Sequence, residues 1–245
     1  MLNELEIKYM QNNNIFKNIW LLTAVYLVLA ACSANNDQLV ALWTLDEITE
    51  QKVKDSSKNG VHGTCIGNPE VDVNEGINGA IKFDGEQDYI KIEKEDIFDL
   101  THAITVAAWI KVNEFNKNWQ AIVTKGDDSW RIARDVDKNS VQFALNSLPK
   151  EQILRSQINI NDGKWHHVAG VYDGEKQKMY LYIDGQLELS GDAPDPIHEN
   201  NEPVLIGENS QATGRFWNGW IDEVRIYSRP LTTNEIAELY ARHED

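Results

Sequence analysis

The sequence has few of the features that mark several large protein classes. It contains only two cysteines in 245 residues and no long Lys/Arg run, and its formal net charge is −16. This charge balance argues against a nucleic-acid backbone as a partner. The zinc motifs Cys-x-x-Cys and His-Glu-x-x-His, the glycine-rich phosphate loop and the Gly-x-Ser-x-Gly elbow are all absent. What the chain does have is eight Trp, eight Tyr and enough aliphatic residues to fold around a substantial core.

The N-terminal segment predicts export. Lys8 and Lys17 precede an apolar run from Ile19 to Ala31 that is short for a membrane-spanning helix, so residues 1–31 are interpreted as a signal peptide. The run ends in Leu-Ala-Ala followed by Cys32, which resembles the lipobox of bacterial lipoproteins, where this cysteine is lipidated. A secretory signal with a chance cysteine and an uncleaved anchor helix remain alternatives.

Lipidation of Cys32 has two consequences. It leaves Cys65 as the only other cysteine, so we expect no intrachain disulfide and a small buried residue at Cys65. It also makes residues 32–38 a polar tether and residues 39–245 the folded domain. The predicted location is the cell envelope, with membrane attachment through Cys32. Because Ser33 rather than Asp follows the cysteine, the outer membrane is predicted for a Gram-negative host.

Short β-rich runs separated by turn residues dominate the remaining sequence. Asp-Gly pairs begin at residues 162, 173 and 184 with equal spacing, and strand-like segments lie between them, which predicts a meander. The run from Ile104 to Ile110 is apolar at nearly every position, as expected of a strand covered on both faces. Near the C-terminus, Thr232 and Glu235 have capping-box spacing before a short amphipathic helix.

The last predicted strand, residues 218–227, alternates strictly between apolar and polar residues. This alternation places Asp222 on the same face as Val224 and Ile226. A carboxylate on an apolar face is costly unless it is hydrogen-bonded, paired or bound to a metal. Asp222 is therefore a candidate functional residue.

Several segments in a fixed order resemble the LamG-like jelly-roll family of the concanavalin A-like lectin/glucanase superfamily. The resemblance covers nearly all of residues 39–242. It implies an all-β fold, a two-sheet antiparallel jelly-roll sandwich with one short C-terminal helix. The segments that carry it are Trp43–Asp46, Asp55–Thr64, Phe83–Gly85, Asp88–Ile90, Thr105–Ile110, Lys125–Gly126, Gly163–Gly170, Tyr182–Gly185, Ile221–Tyr227 and Leu231–Tyr240.

The resemblance also implies a structural Ca²⁺ site near the junction of the first and last strands. Ca²⁺ takes about six to eight oxygen ligands. The candidate ligands are the carboxylates of Asp46, Asp55 and Asp222 and the loop carbonyls around Asn59 and His62. The alternative is that Asp46 and Asp222 accept backbone hydrogen bonds at strand ends, while Asp55 forms a side-chain-capped turn.

No catalytic residue is predicted, and the chain is interpreted as a non-enzyme. Retaining glycosidases need two carboxyl groups about 5 Å apart. The nearest pattern, Glu93, Glu95 and Asp96, is interleaved with lysine and ends in a loop, as at a solvated sheet edge.

The function predicted instead is an envelope-anchored binding module that recognises a polysaccharide or an envelope protein. Trp119, Trp130 and Trp217 lie in polar surroundings and are the candidate ligand-binding residues, because exposed indoles stack on sugar rings. The alternative for each is that it covers the rim of its own core. Two other functional hypotheses are a structural or assembly lipoprotein that binds no sugar and, less favoured, a hydrolase-like enzyme. Four further tryptophans on strands are predicted to be core residues: Trp43, Trp109, Trp165 and Trp220.

Overall fold

A computed structural model describes residues 38–146 and 152–242. The predictions of a signal peptide, of lipidation at Cys32 and of most of the tether lie outside these residues. Contacts within the chain separate Met1–Gln38 from Leu39–Asp245, and the second unit is the one described below. In the described part of the chain, no helix combines the length and apolar character needed to cross a bilayer.

The described unit consists of two antiparallel eight-stranded sheets, as the sequence predicted. In the first sheet the order is β14-β13-β12-β7-β16-β5-β4, and β1 also pairs with β16; in the second it is β11-β10-β9-β8-β15-β6-β3-β2. The strands of the first sheet are β1 Leu39–Trp43, β4 Glu70–Asp72, β5 Ala80–Asp84, β7 Ala103–Val112, β12 Trp165–Asp173, β13 Lys178–Ile183, β14 Gln186–Asp192 and β16 Asn218–Tyr227. Those of the second are β2 Lys52–Val53, β3 Gly63–Ile66, β6 Tyr89–Ile92, β8 Ala121–Thr124, β9 Trp130–Arg134, β10 Val141–Leu145, β11 Gln152–Arg155 and β15 Val204–Ile206.

The main core lies between the two sheets. Alternate residues of the strands point into it, as they do from Met179 through Leu181 to Ile183 on β13. Trp43, at the end of β1, and Phe98, in the 3₁₀ helix Asp96–Phe98, are both fully buried in this core. Their ring centroids are 6.1 Å apart. The predicted fold class is confirmed.

A short helix, α1 Thr233–Ala241, covers part of the outer face of the first sheet. Its Ile236 and Leu239 pack in a second apolar cluster with strand residues such as Ala107 and Ala169. Thr232 caps the helix and Glu235 completes the predicted capping box. The part of the outer face of the first sheet that lies under α1 is therefore apolar.

A β-bulge interrupts the strict alternation predicted for β16. Asp222 pairs with Trp109, but Arg225 pairs with Ala107, so the bulged strand has an extra residue. Glu223, at the bulge, has the left-handed value φ = 50°. Because of this bulge, Asp222 does not follow the pleat of the core-facing residues after it, and the prediction of a shared face was wrong.

Candidate functional site

Asp222 lies on β16, between the part of that strand that pairs with β5 and the part that pairs with β1. β5 pairs with the first part of β16 and β1 pairs with the last part, so Asp222 occupies the fork between them. Its side chain is 0% exposed. The carboxylate accepts hydrogen bonds from the backbone N–H groups of Ile77 at 2.9 Å and Glu223 at 2.8 Å. The expected buried carboxylate is thus present, with hydrogen bonds from the loop before β5 and from β16 itself.

A glycine-flanked loop lies against both Asp222 and the backbone of Asp46. A Cβ atom at Gly76 would lie 2.5 Å from Asp222 Oδ2, and one at Gly79 would lie 3.3 Å from the Asp46 carbonyl oxygen. Both glycines have positive φ, at 68° and 133°, so this close approach favours glycine at each position. We call residues 76–79 the fork loop.

Both carboxylates at the fork have raised pKa values. Burial raises the pKa of Asp222 to about 8, and the negative charges of Glu223 and Asp46 add to this rise. Burial also raises the pKa of Asp46. Asp46 Oδ1 is buried and has no hydrogen-bond partner. A carboxylate oxygen of half-buried Asp46 that lacks a hydrogen-bond partner, near the buried carboxylate of Asp222, fits a bound cation, because such an ion would supply positive charge and the missing partner.

The other predicted metal ligands form a separate hydrogen-bonded turn. Asp55 accepts hydrogen bonds from the backbone N–H groups of Leu42, Ser57 and Val61 at 3.0, 2.8 and 2.9 Å. Burial raises the pKa of Asp55, but these hydrogen bonds outweigh it and leave the pKa below its usual value. The Asp55 backbone N–H in turn donates to His62 Nδ1 at 3.0 Å.

Asn59 belongs to the same turn, since its side-chain amide donates to the Val40 carbonyl at 2.8 Å. Within residues 38–146 and 152–242, no three His, Cys, Asp or Glu side chains are grouped closely enough to hold a metal. The predicted five-residue set is therefore divided. Asp46 and Asp222 converge, whereas Asp55, Asn59 and His62 tie a turn to β1, as the alternative reading held.

Two of the three predicted ligand-binding tryptophans are core residues. Trp130 and Trp217 are each 0% exposed. The Trp130 indole N–H donates to the Phe98 carbonyl at 3.3 Å, and the Trp217 ring meets Phe115 edge-on with centroids 5.8 Å apart. Neither offers a ring face to a ligand. The polar residues around them in sequence were misleading, because long-range packing encloses both rings.

Trp119 is the exposed member of the predicted set. It lies in the loop between β7 and β8 with 37% of its surface exposed. Its backbone has φ = 54°, which is uncommon for a bulky residue, and its N–H donates to the Val136 carbonyl at 3.0 Å. The Arg215 guanidinium lies 5.3 Å from the centre of its ring.

The loop before β16 completes a mixed aromatic and cationic surface around Trp119. The Lys117 ammonium lies 5.3 Å from the ring centre of Phe216, and Phe216 packs on Tyr89 with centroids 6.2 Å apart. We call Tyr89, Lys117, Trp119, Arg215 and Phe216 the aromatic loop cluster. Sequence reasoning missed four of its members; the Arg-Phe pair beside Trp217 was the available signal.

The tryptophans predicted to be core residues divide into two groups. Trp43 is fully buried, and Trp109 is buried beneath α1, where it stacks on Tyr240 at 5.3 Å. Trp165 and Trp220 are only half-buried, and they flank Lys111 on neighbouring strands of the first sheet. The core prediction was wrong for these two.

A family model described as the concanavalin A-like lectin/glucanases superfamily matches residues 84–237. The chain belongs to this superfamily.

Curated relatives match this chain over short segments of much longer proteins. The Rattus norvegicus sushi, von Willebrand factor type A, EGF and pentraxin domain-containing protein 1 is 23% identical over 176 residues, which is 67% of this chain and 5% of that protein. The Homo sapiens laminin subunit alpha-3 is 31% identical over 109 residues, 42% of this chain and 3% of that protein. The chain thus corresponds to a small part of each relative.

Solved structures of low sequence identity share the fold. The binding domain of Paraclostridial Mosquitocidal Protein 1 aligns with a TM-score of 0.68 and 20% identity, over 84% of this chain and 52% of that one. Domain 4 of AbnA, a GH43 extracellular arabinanase from Geobacillus stearothermophilus solved with arabinotriose, aligns with a TM-score of 0.68 and 22% identity, over 83% and 98%. The binding domain of botulinum neurotoxin DC, solved with rat synaptotagmin II, gives 0.66 and 17%, over 84% and 52%.

Because the superfamily name covers glucanases as well as lectins, the carboxylates considered for catalysis matter here. Glu93 is exposed and pairs with Lys91 at 2.8 Å. Glu95 pairs with the buried Lys125 at 3.2 Å. Asp96 begins the 3₁₀ helix. Two of the three are thus held by lysines, a structural use of these groups.

Proposed function

We propose that the chain is a non-catalytic module that binds carbohydrate through the aromatic loop cluster. The observation that carries this proposal is the exposed Trp119 ring, which is held by a backbone conformation unusual for tryptophan. Strain of this kind is retained where the surrounding structure enforces it, and it is concentrated at binding sites. An indole that is rigid and partly exposed presents an apolar face to sugar C–H groups and an N–H donor to a hydroxyl.

Ion pairs keep the cluster in one arrangement before a ligand arrives. Arg215 donates to Asp127 Oδ1 at 2.9 Å, and the same carboxylate oxygen accepts from the Asn209 amide at 2.9 Å. Lys117 reaches Glu86 at 3.3 Å. Because these side chains are already ordered, the protein would lose less conformational entropy on binding a ligand than it would at a flexible loop.

The family relationship supports the same class of ligand. The superfamily includes lectins, and the arabinanase domain that aligns over nearly its full length was solved with a sugar. The ion-paired state of Glu93 and Glu95 supports a binding role over hydrolysis.

We further propose a structural Ca²⁺ at the fork. Asp46 and Asp222 would supply carboxylate oxygens, and carbonyl oxygens of the fork loop would supply the remainder. Bound calcium would provide positive charge that offsets the buried Asp222 and half-buried Asp46 carboxylates at the fork between β1 and β5. The orphaned Asp46 Oδ1 supports this proposal.

The location proposed from the sequence is the cell envelope, with Cys32 lipidated and the domain displayed from the tether. Cys32→Ala is expected to move the protein from the membrane fraction to the soluble fraction. Retention of the variant in the membrane would contradict lipid attachment at this residue.

The carbohydrate proposal is tested with the full chain in mild detergent. Isothermal titration calorimetry across neutral and acidic polysaccharides, including arabinan, identifies a ligand. Trp119→Ala is expected to weaken binding at least tenfold, about 1.4 kcal/mol, because it removes the stacking surface.

Leu187→Ala is the matched control, since Leu187 is 45% exposed and lies on β14, outside the cluster. Equal losses in both variants would contradict a site at Trp119. If no polysaccharide binds, but an envelope protein is retained by wild type and not by Trp119→Ala, the assembly role replaces the carbohydrate role.

The calcium proposal is tested by thermal melting in calcium and in chelator. A ligand that binds only the native state raises the melting temperature. We expect such a rise in wild type and its loss in Asp222→Asn. Direct calcium titration of wild type keeps the test valid if the variant folds poorly, and an absence of binding heat would contradict the site.

A further inference from the structure

The segment between β4 and β5 reaches across the outer face of the first sheet. We call residues 72–79 the strap; they include the fork loop. β4 and β5 lie at one edge of the sheet, yet side chains of the strap contact β16, β7 and β12, up to three strands beyond β5. The strap therefore connects the fork to a surface that the proposed carbohydrate site does not use.

Glu75 makes the longest of these connections. Its two carboxylate oxygens accept from Lys111 Nζ at 2.7 and 2.9 Å. Its Oε2 also accepts from the Trp165 indole N–H at 2.9 Å. Both the lysine and the glutamate side chains are only about one-fifth exposed, at 21% and 22%. A charge-assisted pair in this partly shielded position holds the strap more firmly than an exposed ion pair would.

Asp72 fixes the beginning of the strap. Its carboxylate accepts from the Trp220 indole N–H at 3.2 Å and from the Asn74 backbone N–H at 3.1 Å. The ammonium groups of Lys82 and Lys111 lie 5.1 Å from the Trp220 ring centre. Two anchored carboxylates thus hold residues 72–75 against the sheet.

The fork loop follows Glu75 directly in the chain. Gly76 lies against Asp222, and the Ile77 backbone N–H donates to it at 2.9 Å. With no intervening residue between Glu75 and Gly76, a displacement of Glu75 displaces the loop that contacts the Asp222 carboxylate and the Asp46 backbone.

We propose that Glu75 is a positioning residue for the fork cation, acting through its contacts with Lys111 and Trp165. This inference rests on the proposed calcium site. By linkage, a cation that orders the fork loop also orders the packing of Trp165 against the strap, and loss of that packing weakens the cation. Residues that orient metal ligands in this way typically contribute a factor of about 10 to 100 in metal affinity.

Two pairs of variants separate positioning from simple charge. Calcium affinity is measured by calorimetry, and tryptophan emission is recorded during the titration, with the full chain in detergent. Glu75→Ala and Glu75→Gln remove the same charge, but only the amide can still accept the Trp165 N–H. We expect about a tenfold loss of affinity for Glu75→Ala and a smaller loss for Glu75→Gln.

Lys111→Met makes the surface more negative, so Coulomb attraction alone predicts tighter calcium binding. Positioning predicts weaker binding, because Glu75 loses its main partner. Trp165→Phe leaves the net charge unchanged, and we expect a severalfold loss of affinity together with loss of most of the calcium-dependent change in emission. Glu70→Gln, at an exposed position on β4, is the charge control and is expected to bind within twofold of wild type.

Each outcome decides the proposal. Equal affinities for the two Glu75 variants, or tighter binding by Lys111→Met, would overturn the positioning role while leaving the calcium site intact. Wild-type affinity in Trp165→Phe would overturn it as well. Absence of calcium binding in wild type would overturn the cation site and the positioning role together. Melting of each variant in chelator identifies a variant that fails to fold, and the remaining variants then decide.

Discussion

At the residue scale, His166 shows how one side chain links two turns. Its ring nitrogens lie 2.9 Å from Asp184 Oδ2 and 3.1 Å from Asp162 Oδ1, in two of the predicted Asp-Gly turns. Burial lowers the pKa of His166, but hydrogen bonds to these two carboxylates outweigh it and leave the pKa raised. The folded state therefore favours the protonated ring.

This raised pKa predicts a direction for the pH dependence of stability. The stabilising contribution of His166 is complete below its unfolded pKa of about 6.5 and is lost as pH rises through the higher folded pKa. The difference in unfolding free energy between wild type and His166→Gln should therefore shrink as pH rises above about 6.5. Denaturant titrations at several pH values measure it.

His102→Gln, at an exposed position, is the control for the His166 experiment. A pH-independent difference for His166→Gln, or an equal pH dependence in both variants, would contradict the assignment of the charged ring to the two carboxylates.

At the element scale, α1 depends on its first turn. Thr232 Oγ1 accepts from the Glu235 backbone N–H at 3.3 Å, and Glu235 Oε2 accepts from the Thr232 backbone N–H at 2.8 Å. Arg229 adds contacts of 2.9 and 2.6 Å to the same carboxylate. These interactions, with Arg229 the largest, lower the pKa of Glu235 to about 2. The capping box was readable from sequence, whereas the arginine contact required the loop before the helix to fold back.

Removing the cap should destabilise the domain without unfolding it. Thr232→Ala is expected to cost about 1 kcal/mol, because one backbone N–H of the first turn loses its partner.

The stabilisation from Glu235 is present above its unfolded pKa and is lost as pH falls from about 4.5 towards 2. Glu235→Gln should flatten stability in that acid window. Hydrogen exchange of the helix amides and urea unfolding measure the effects of Thr232→Ala and Glu235→Gln. If stability in Glu235→Gln falls with acid as it does in wild type, the assigned role of the Glu235 carboxylate is contradicted.

At the scale of the whole molecule, close approach of the two sheets sets the shape of the core. Gly170 on β12 faces Phe143 on β10 of the opposite sheet, and a Cβ atom at position 170 would overlap the Phe143 ring. The interior is packed too closely to absorb an added methyl group without movement. A glycine and an aromatic ring, contributed by opposite sheets, therefore fit as one pair.

Gly170→Ala is expected to destabilise the domain by about 1–3 kcal/mol through this overlap. Adding Phe143→Leu should restore part of the loss, because the ring that the methyl group meets is gone. Gly191→Ala on β14 is the control, since its new Cβ would meet only the end of the Leu154 side chain at 3.0 Å. The pair would be contradicted if the double variant loses more unfolding free energy than the two single variants lose in total.

Features that depend on neighbours along the chain could be predicted from the amino-acid sequence. Turns at the Asp-Gly pairs, alternation along β13 and the cap at Thr232 each involve residues a few positions apart. Local backbone preferences and side-chain periodicity determine such features before any distant contact forms.

Contacts between residues far apart in the sequence depend on how the strands and loops pack in the folded protein. The hydrogen bond from Ile77 to Asp222 joins residues 145 positions apart. The sequence grouped Asp55 with Asp222 as candidate metal ligands, but Asp55 lies in a separate hydrogen-bonded turn. Trp119, Trp130 and Trp217 all stand in polar stretches, yet packing from other strands buries two and leaves one exposed. Burial and ligand geometry are properties of contacts between elements, and no local pattern encodes how the loops cross the sheets.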